Sequence, residues 1–259
     1  MTSAERPPHP LRRVDVLGVG VSAVSLPQAV ARIGDWARTK ERTYVCVTGV
    51  HGVMEARRDP ELRRIHNEAG LTTPDGMPMV WAGRRAGAAW MTRVYGPDLM
   101  LAVLKQAAAE GWSSYFYGGA PGTPELLARR LSTRFAGLRV AGAWSPPFRS
   151  PTPAEDAADV QRINATRPDF VWVGLSTPKQ ERWMAAHRDA LDAPVLLGVG
   201  AAFDFHAGLL SQAPHWVQRS GLEWAFRLAH EPRRLAPRYL RNNPAFVAAI
   251  IRNPPRLLP

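Results

Sequence analysis

The stretch Ser113-Ser-Tyr-Phe-Tyr-Gly-Gly-Ala-Pro-Gly-Thr-Pro124 contains the change of pattern that decides the fold. Its first part, Ser113–Tyr117, is an apolar and aromatic run typical of a buried strand. The glycines that follow predict a tight turn, and Thr123 and Pro124 are typical of an N-cap residue and a first helical residue. We therefore predict a strand over Ser113–Tyr117 and a helix over Pro124–Phe135.

Apolar runs alternate with helical patterns in the same way along most of the chain. Because a strand, a helix and a second strand in succession form a parallel βαβ unit, the alternation predicts an α/β fold, Rossmann-like, with a mostly parallel sheet and flanking helices. The remaining strands are predicted at Val14–Val19, Tyr44–Val47, Gly70–Thr73, Arg139–Gly142, Phe170–Val173 and Val195–Gly198, and the remaining helices at Leu26–Thr39, Val50–Glu68, Leu99–Glu110, Pro153–Arg167 and Lys179–Leu191.

Composition limits the class of protein. A length of 259 residues with 46% hydrophobic content fits one large α/β domain, or a core domain with an appendage. The single cysteine, Cys46, excludes an intramolecular disulfide framework and a cysteine-rich zinc site, and its apolar neighbours predict that it is buried. The chain has no signal-peptide cleavage pattern and no apolar run of about 18 residues, so we expect a cytoplasmic protein with only peripheral membrane contact.

The charge is basic and unevenly distributed. The net charge is +11, and residues 210–259 contain eight arginines and two glutamates, a net charge of +6. This balance predicts an anionic partner, which could be nucleic acid, nucleotide phosphate or anionic lipid. Arginines on solvated faces would explain part of the excess without any partner.

The pattern changes after Leu209, where prolines become frequent. We predict an α/β core over residues 1–209 and a basic amphipathic helical appendage over residues 210–259 that contacts membrane and diphosphate, with its prolines breaking it into short pieces. A helical cap packed on the core is an equal alternative, and both can hold at once. The spacings between Arg227, Arg234, Arg238 and Arg241 would place these arginines on one helical face, unless Pro237 interrupts that helix.

Asp75 is the first candidate site residue. It lies in the run Leu71-Thr-Thr-Pro-Asp-Gly76, after the predicted strand. A carboxylate at the carboxyl end of a buried strand lies where open α/β folds bind ligands. An ordinary Asp-Gly turn would use the same residues. Similarly, Gly118 and Gly119 could bring backbone amides to a diphosphate at a helix N-terminus, or could form a plain tight turn.

Other strand ends carry polar residues. Lys179, Gln180 and Glu181 open the helix after Phe170–Val173, where they could contact sugar hydroxyls or simply begin a helix. Asp204 follows another buried strand and could hold a hydroxyl or cap the chain locally. The glycine pairs Gly18-Val-Gly20 and Gly198-Val-Gly200 do not complete Gly-x-Gly-x-x-Gly, so we exclude a dehydrogenase.

The spacing of acidic, histidine and cysteine residues predicts no metal site, and no cofactor is expected. No His, Cys, Asp or Glu cluster has metal-ligand spacing, and no Asp-x-Asp or Walker lysine motif is present in the sequence. The charge of a bound phosphate would therefore be met by arginines and helix N-termini.

Taken in order, these motifs resemble the WecG/TagA/CpsF family of bacterial glycosyltransferases, from about residue 12 to 241. The residues that carry the resemblance are Thr48, Pro74-Asp75-Gly76, Arg93, Gly96-Pro-Asp98-Leu99, Gly118-Gly119, Pro168-Asp169, Pro178-Lys179-Gln180-Glu181, Gly198-Val-Gly200-Ala-Ala-Phe203-Asp204, Gly208, Ala213-Pro214-His215-Trp216, Gly221-Leu222-Glu223-Trp224, Arg227-Leu228, Glu231-Pro232 and Arg238-Tyr239.

The resemblance implies an inverting, metal-independent transferase that moves a sugar from a UDP-sugar to a lipid-diphosphate-linked saccharide at the inner membrane face. It implies Asp75 as the general base, with Thr48 beside it. The remaining residues that it implies in substrate binding are Arg93, Asp98, Gly118, Gly119, Lys179, Gln180 at the sugar, Glu181, Asp204 at the donor, and Arg227, Arg234 and Arg238 at the diphosphate.

One position departs from the family pattern. Val50 stands where members often carry an asparagine of the acceptor region, and Thr48-Gly-Val-His-Gly52 is more similar to exopolysaccharide-assembly members such as GumM. His51 could replace the missing polar group and bind substrate, or could be structural. The identities of the acceptor and of the sugar therefore stay open. Whether the chain forms a homo-oligomer also stays open. Two competing classes are a basic nucleic-acid-binding protein and a sugar-nucleotide-binding module without turnover.

Overall fold

The computed structural model describes residues 11–259, apart from the side chains of His215, Arg219 and Arg234. In chain order, the strands are β1 (Arg13–Val16), β2 (Val19–Ser22), β3 (Thr43–Thr48), β4 (Leu71–Pro74), β5 (Ser113–Gly118), β6 (Arg139–Trp144), β7 (Phe170–Gly174), β8 (Val195–Gly198) and β9 (Arg256–Leu257). The helices are α1 (Leu26–Thr39), α2 (Val50–Arg58), α3 (Pro60–Glu68), α4 (Met77–Arg85), α5 (Gly96–Glu110), α6 (Thr123–Arg134), α7 (Pro153–Ala165), α8 (Lys179–His187), α9 (Ala202–His206), α10 (His215–Arg219), α11 (Glu223–His230) and α12 (Pro232–Arg252).

The main sheet confirms the predicted α/β class. Its six strands run in the order β4-β3-β8-β7-β5-β6, and every neighbouring pair is parallel. From β3 the chain passes to β4 on one side, whereas β8 pairs with β3 on the other side. Because the strands are parallel, their carboxyl ends lie at the same edge of the sheet. Open α/β sheets bind ligands at this edge, where connections leave a strand to opposite sides, as they do at β3.

Strand β7 shows how the sheet is buried on both faces. Phe170 and Trp172 belong to one apolar cluster, whereas Val171 and Val173 belong to another, because successive side chains of a strand point to opposite faces. Cys46 lies in the second cluster and is fully buried and unpaired, as its apolar neighbours predict. The uniformly apolar runs in the sequence thus reflect helices on both sides of the sheet.

The prediction of one strand over Val14–Val19 is wrong. Leu17 and Gly18 take left-handed backbone angles, with φ of 58° and 92°, and form the two-residue turn of a hairpin between β1 and β2. This hairpin belongs to a separate antiparallel sheet with the order β2-β1-β9. The prediction failed because Leu17 is not typical of a turn, so the run Val14–Val19 resembles one apolar strand with a single glycine.

Two helix boundaries also differ from the prediction. The predicted helix Val50–Glu68 is two helices, because Pro60 begins α3 and the side chain of Asp59 accepts hydrogen bonds from the amides of Glu61 and Leu62 as an N-cap. Helix α6 begins at Thr123, so its N-cap is Gly122 and not the predicted Thr123. Helix α4, which follows Asp75 closely, was not predicted.

The C-terminal segment packs on the core. The prolines do not break it throughout as predicted, because α12 runs for 21 residues with Pro237 and Pro244 inside it. Each proline removes one backbone hydrogen bond, whereas the packing of α12 against α2 and the burial of Phe246 in an apolar cluster favour the continuous helix. Strand β9 then pairs with β1 through Val14 and Leu257. The predicted cap is therefore observed, while the division at 209/210 and the predicted membrane and diphosphate contacts remain proposals.

Candidate active site

A cavity of about 850 Å³ lies at the carboxyl ends of β3 and β4, between the core and the C-terminal helices. Both parts of the chain contribute to its walls. The polar and aromatic lining residues are His51, Asp75, Trp81, Arg85, Arg93, Tyr95, Thr177, Gln218, Ser220, Glu223, Trp224, Arg227, Arg238, Tyr239, Asn242, Asn243 and Phe246. The volume is near the upper end of the range for small-molecule pockets, so a large ligand fits.

Asp75 is held in the cavity wall by a backbone hydrogen bond to the neighbouring strand β3. Its amide donates to the carbonyl of Thr48 at 3.0 Å, which continues the β3–β4 pairing by one residue. A Cβ atom on Gly49 would lie 2.9 Å from the Asp75 carbonyl oxygen and 3.8 Å from its Oδ2. Only glycine at position 49 therefore allows the two strand ends to approach this closely.

The Asp75 carboxyl group titrates near neutrality. Its pKa is raised to about 6 in total. Burial is the largest cause and raises the pKa, the positive charge of Arg93 lowers it, and the negative charge of Glu223 raises it. Arg227 and Arg238 also lower it, by smaller amounts. A carboxylate with this pKa is mostly ionised at pH 7 and is more basic than an ordinary aspartate, which suits a general base.

Arg93 joins the core to the C-terminal segment across the cavity wall. Its Nη1 donates to Oε1 of Gln218 at 2.8 Å, and its Nη2 forms an ion pair with the Glu223 carboxylate. The guanidinium also stacks over the Tyr95 ring, 3.9 Å from its centroid. Burial and then Glu223 raise the pKa of the Tyr95 hydroxyl, so it stays a neutral donor at pH 7.

His51 forms a second link between the core and the C-terminal segment. Its Nδ1 accepts a hydrogen bond from the Asn242 side-chain amide at 3.0 Å. Burial first, and then the positive charge of Arg238, lower the pKa of His51 to about 4, so the imidazole is neutral at pH 7. His51 therefore contacts α12 and also lines the cavity, and its predicted role at the acceptor stays a prediction.

Two of the predicted diphosphate-binding arginines, Arg227 and Arg238, line the cavity. The Arg227 guanidinium lies 5.7 Å from the Phe205 ring centroid, and its buried Nε has no hydrogen-bond partner among the described residues. The predicted common helical face is wrong for Arg227, which belongs to α11, whereas Arg234, Arg238 and Arg241 all belong to α12. Arg241 is exposed, and the side chain of Arg234 lies outside the described part of the chain.

Thr48, Gln180 and Glu181 lie behind the cavity wall. Thr48 is buried, and its hydroxyl lacks a hydrogen-bond partner in the part of the chain that the structure describes. Glu181 accepts hydrogen bonds from Thr177 Oγ1 at 2.8 Å and from Gln180 Nε2 at 3.1 Å. Thr177 lines the cavity, so Glu181 is connected to the cavity wall through its hydrogen bond with Thr177.

The remaining predicted residues are not brought to this cavity. Gly119 donates its amide to the Gly174 carbonyl at 2.9 Å, and a Cβ atom on Gly118 would meet the Gly174 backbone at 2.7 Å, so both glycines serve close packing of β5 against β7. Lys179 is exposed at the start of α8, and Asp98 and Asp204 lie in the first turns of α5 and α9. Their contacts with substrate stay predictions.

Comparison with known proteins identifies the family. The model of the Glycosyl transferase WecG/TagA/CpsF family matches residues 14–257. The chain belongs to this family. It is similar to an N-acetylglucosaminyldiphosphoundecaprenol N-acetyl-beta-D-mannosaminyltransferase of Bacillus spizizenii, with 29% identity over 201 residues, 77% of this chain and 75% of the relative. A Staphylococcus aureus protein of the same name is 25% identical over 240 residues, 92% of each chain.

For this WecG/TagA/CpsF member, sequence reasoning missed several cavity residues. Tyr95, Gln218, Glu223 and Asn242 were not predicted as site residues, although all four line the cavity. Glu223 could have been noticed as an acid within an arginine-rich segment, and Tyr95 as the second residue after Arg93. Gln218 and Asn242 carry no such signal, because only helix packing brings them to the site.

The described part of this family member has neither a metal-binding cluster nor a membrane-spanning helix. Within residues 11–259, no group of three or more His, Cys, Asp or Glu side chains is arranged to hold a metal ion. Over the same described residues, none of the helices is both long and apolar enough to cross a membrane.

Proposed function

We propose that this protein is an inverting, metal-independent glycosyltransferase that moves a hexose or N-acetylhexosamine, such as N-acetylmannosamine, from a UDP-sugar to a polyprenyl-diphosphate-linked saccharide. The observation that carries the proposal is the Asp75 carboxylate, which faces a large cavity lined by arginines and has a pKa of about 6. Family membership and the names of the two relatives support the reaction class and the lipid-linked acceptor.

In the proposed reaction, Asp75 takes the proton from an acceptor hydroxyl while that oxygen attacks the anomeric carbon of the donor sugar. The bond from the anomeric carbon to UDP breaks as the new glycosidic bond forms, and one displacement inverts the anomeric centre. Arg227 and Arg238 provide positive charge for diphosphate in the cavity. We propose that these arginines neutralise the charge of the diphosphate, which a divalent cation does in other sugar-nucleotide transferases.

The proposed place of action is the cytoplasmic face of the plasma membrane, with peripheral attachment and a role in surface or exopolysaccharide synthesis. The acceptors named for the relatives are diphosphoundecaprenol derivatives, which are membrane lipids. The net charge of +6 in residues 210–259 supports attraction to anionic lipid. The core over residues 1–209 would then provide the base, and the segment over 210–259 the lipid-facing contacts.

The decisive experiment combines a UDP-sugar panel with a base variant. Purified protein is incubated with each UDP-sugar and membrane extract, and UDP release is measured. We expect release with one or few donors, loss of at least about 100-fold in Asp75→Asn because a general base is removed, and unchanged UDP binding by calorimetry. Asp192→Asn, which alters an exposed aspartate outside the cavity, should retain activity. Turnover by Asp75→Asn would contradict the assignment of the base.

The same experiment separates the competing classes. Binding of UDP without release from any donor and acceptor would indicate a sugar-nucleotide-binding module. Salt-sensitive binding of nucleic acid in the absence of UDP binding would indicate a nucleic-acid-binding protein.

A further inference from the structure

The cavity has one polar end and one apolar end. The polar end contains Asp75, Arg93, Glu223, Arg227 and Arg238. Arg85, the last residue of α4, also lines the cavity. The apolar end is formed by α4 and α12, and its main lining residues are Met77, Trp81, Ala82, Phe246, Val247 and Ile250. The aliphatic side chains of this wall offer neither charge nor hydrogen bonds to a sugar hydroxyl or a phosphate, so the proposed reaction leaves them unexplained.

Helix α12 carries the transition from polar to apolar on one stripe. Arg238, Asn242, Phe246 and Ile250 follow each other at intervals of four residues, which places them along one side of the helix, and all four line the cavity. At 1.5 Å per residue the stripe is about 18 Å long. The cation is at one end, an amide follows, and the last two turns are apolar.

The outer end of this wall is exposed. Val247 is 54% exposed and Ile251 is 71% exposed on α12, and Trp81 on α4 is 53% exposed, although all three line the cavity. Core packing therefore does not explain these residues. Large apolar side chains that line a cavity and remain in contact with solvent indicate a ligand-binding groove.

We propose that the groove between α4 and α12 binds the first isoprene units of the acceptor lipid, next to the diphosphate. This inference rests on the proposed function, which requires an acceptor with a saccharide, a diphosphate and a polyprenyl chain joined in that order. The stripe from Arg238 to Ile250 offers positive charge and then apolar surface in the order in which such a ligand presents its diphosphate and its chain. The order of charged and apolar groups in the groove thus matches the order of diphosphate and polyprenyl chain in the ligand.

The test uses acceptors that differ only in their lipid. Saccharide diphosphates carrying a methyl group, one isoprene unit or two isoprene units are used below their micelle concentrations and without membranes. Because each buried methylene strengthens binding by about fourfold, we expect KM to fall at least about tenfold from methyl to two isoprene units. Ile251→Asp should remove most of this dependence, and Ile251→Leu should keep it.

Leu240→Asp is the matched control. Leu240 is 74% exposed on the same helix but lies outside the cavity, so its replacement should leave the dependence on chain length unchanged. If Leu240→Asp flattens the dependence as much as Ile251→Asp, general surface partitioning is responsible and the groove is refuted. A wild-type dimer that Ile251→Asp converts to monomer would show that a second copy covers the face, which also refutes it.

The failure of the groove and the failure of the proposed function give different results. Transfer with the same KM for every chain length would refute the groove and leave the transferase intact. If no acceptor is used at all, the transferase assignment fails, and the groove is still tested by calorimetry with geranyl diphosphate and methyl diphosphate. The groove requires tighter binding of geranyl diphosphate in the wild type, and loss of that preference in Ile251→Asp.

Discussion

Arg93 and Glu223 form an ion pair in the wall of the cavity although they are 130 residues apart in the chain. Both side chains are mostly buried, with exposed fractions of 13% and 17%. Their charges act on the Asp75 carboxyl group in opposite directions, since Arg93 lowers its pKa and Glu223 raises it. The pair therefore holds the C-terminal segment against the core and also sets the charge around the proposed base.

Glu223→Gln should move the pH dependence of transfer toward lower pH. Removal of the negative charge near Asp75 lowers the pKa of that carboxyl group, because Glu223 raises it in the wild type. The pH at which kcat/KM is half its maximum is the quantity to measure. Glu68→Gln, which breaks an exposed ion pair with Arg64, serves as the control and should not move it. A midpoint that stays in place or rises would show that Glu223 does not act on the base.

The wild-type enzyme should lose activity in mild acid. If Asp75 is the base, as proposed, its ionised form accepts the proton. Because its pKa is about 6, the active fraction then rises with pH through 6 and is nearly complete above pH 7. We expect kcat/KM to fall about tenfold for each pH unit below 6. His51 does not contribute to this limb, because its pKa is about 4. A profile that is flat from pH 5 to 8 would argue against Asp75 as the base.

Gly49→Ala should reduce kcat without preventing folding. The added Cβ atom would lie 2.9 Å from the Asp75 carbonyl oxygen, so the end of β4 and its carboxylate must shift away from their position. Because misplacement of a catalytic group by about 1 Å can cost about 100-fold, we expect a loss of one to two orders of magnitude. Steady-state kinetics and a thermal melt measure both effects. A variant with full activity would show that the close approach of the two strand ends is not needed.

Arg227→Ala should weaken the use of diphosphate-containing substrates. A hydrogen bond to a charged group contributes roughly 1.5–3 kcal/mol, so KM should rise by about tenfold to 100-fold. Arg241→Ala changes an exposed arginine of the same segment and is the control for loss of net charge. If both variants raise KM equally, the effect is one of overall charge and not of a contact in the cavity.

Much of the fold could be predicted from the sequence because its signals are local. The run Phe170–Val173 is apolar throughout, as a strand covered on both faces must be, and Pro124 and Pro153 lie at or close to the predicted starts of helices. The hairpin at Leu17 was missed because its turn has only one glycine. Helix α12 was predicted as fragments because proline propensity is local, whereas the burial of Phe246 that favours the continuous helix is not.

The sequence by itself determined the class of fold, the position of Asp75 at a strand end and the surplus of arginine in the last fifth of the chain. These features follow from composition and short-range pattern. Only the tertiary structure decided which polar residues meet. It brought His51, Arg93, Arg227 and Arg238 to one cavity with Asp75, and it left Gly118, Gly119 and Asp204 outside the lining of that cavity. The physical reason is that α12 packs against α2 and α11 packs against α12, which places both helices around the cavity at the strand ends. Such long-range packing depends on complementary surfaces that no local pattern records.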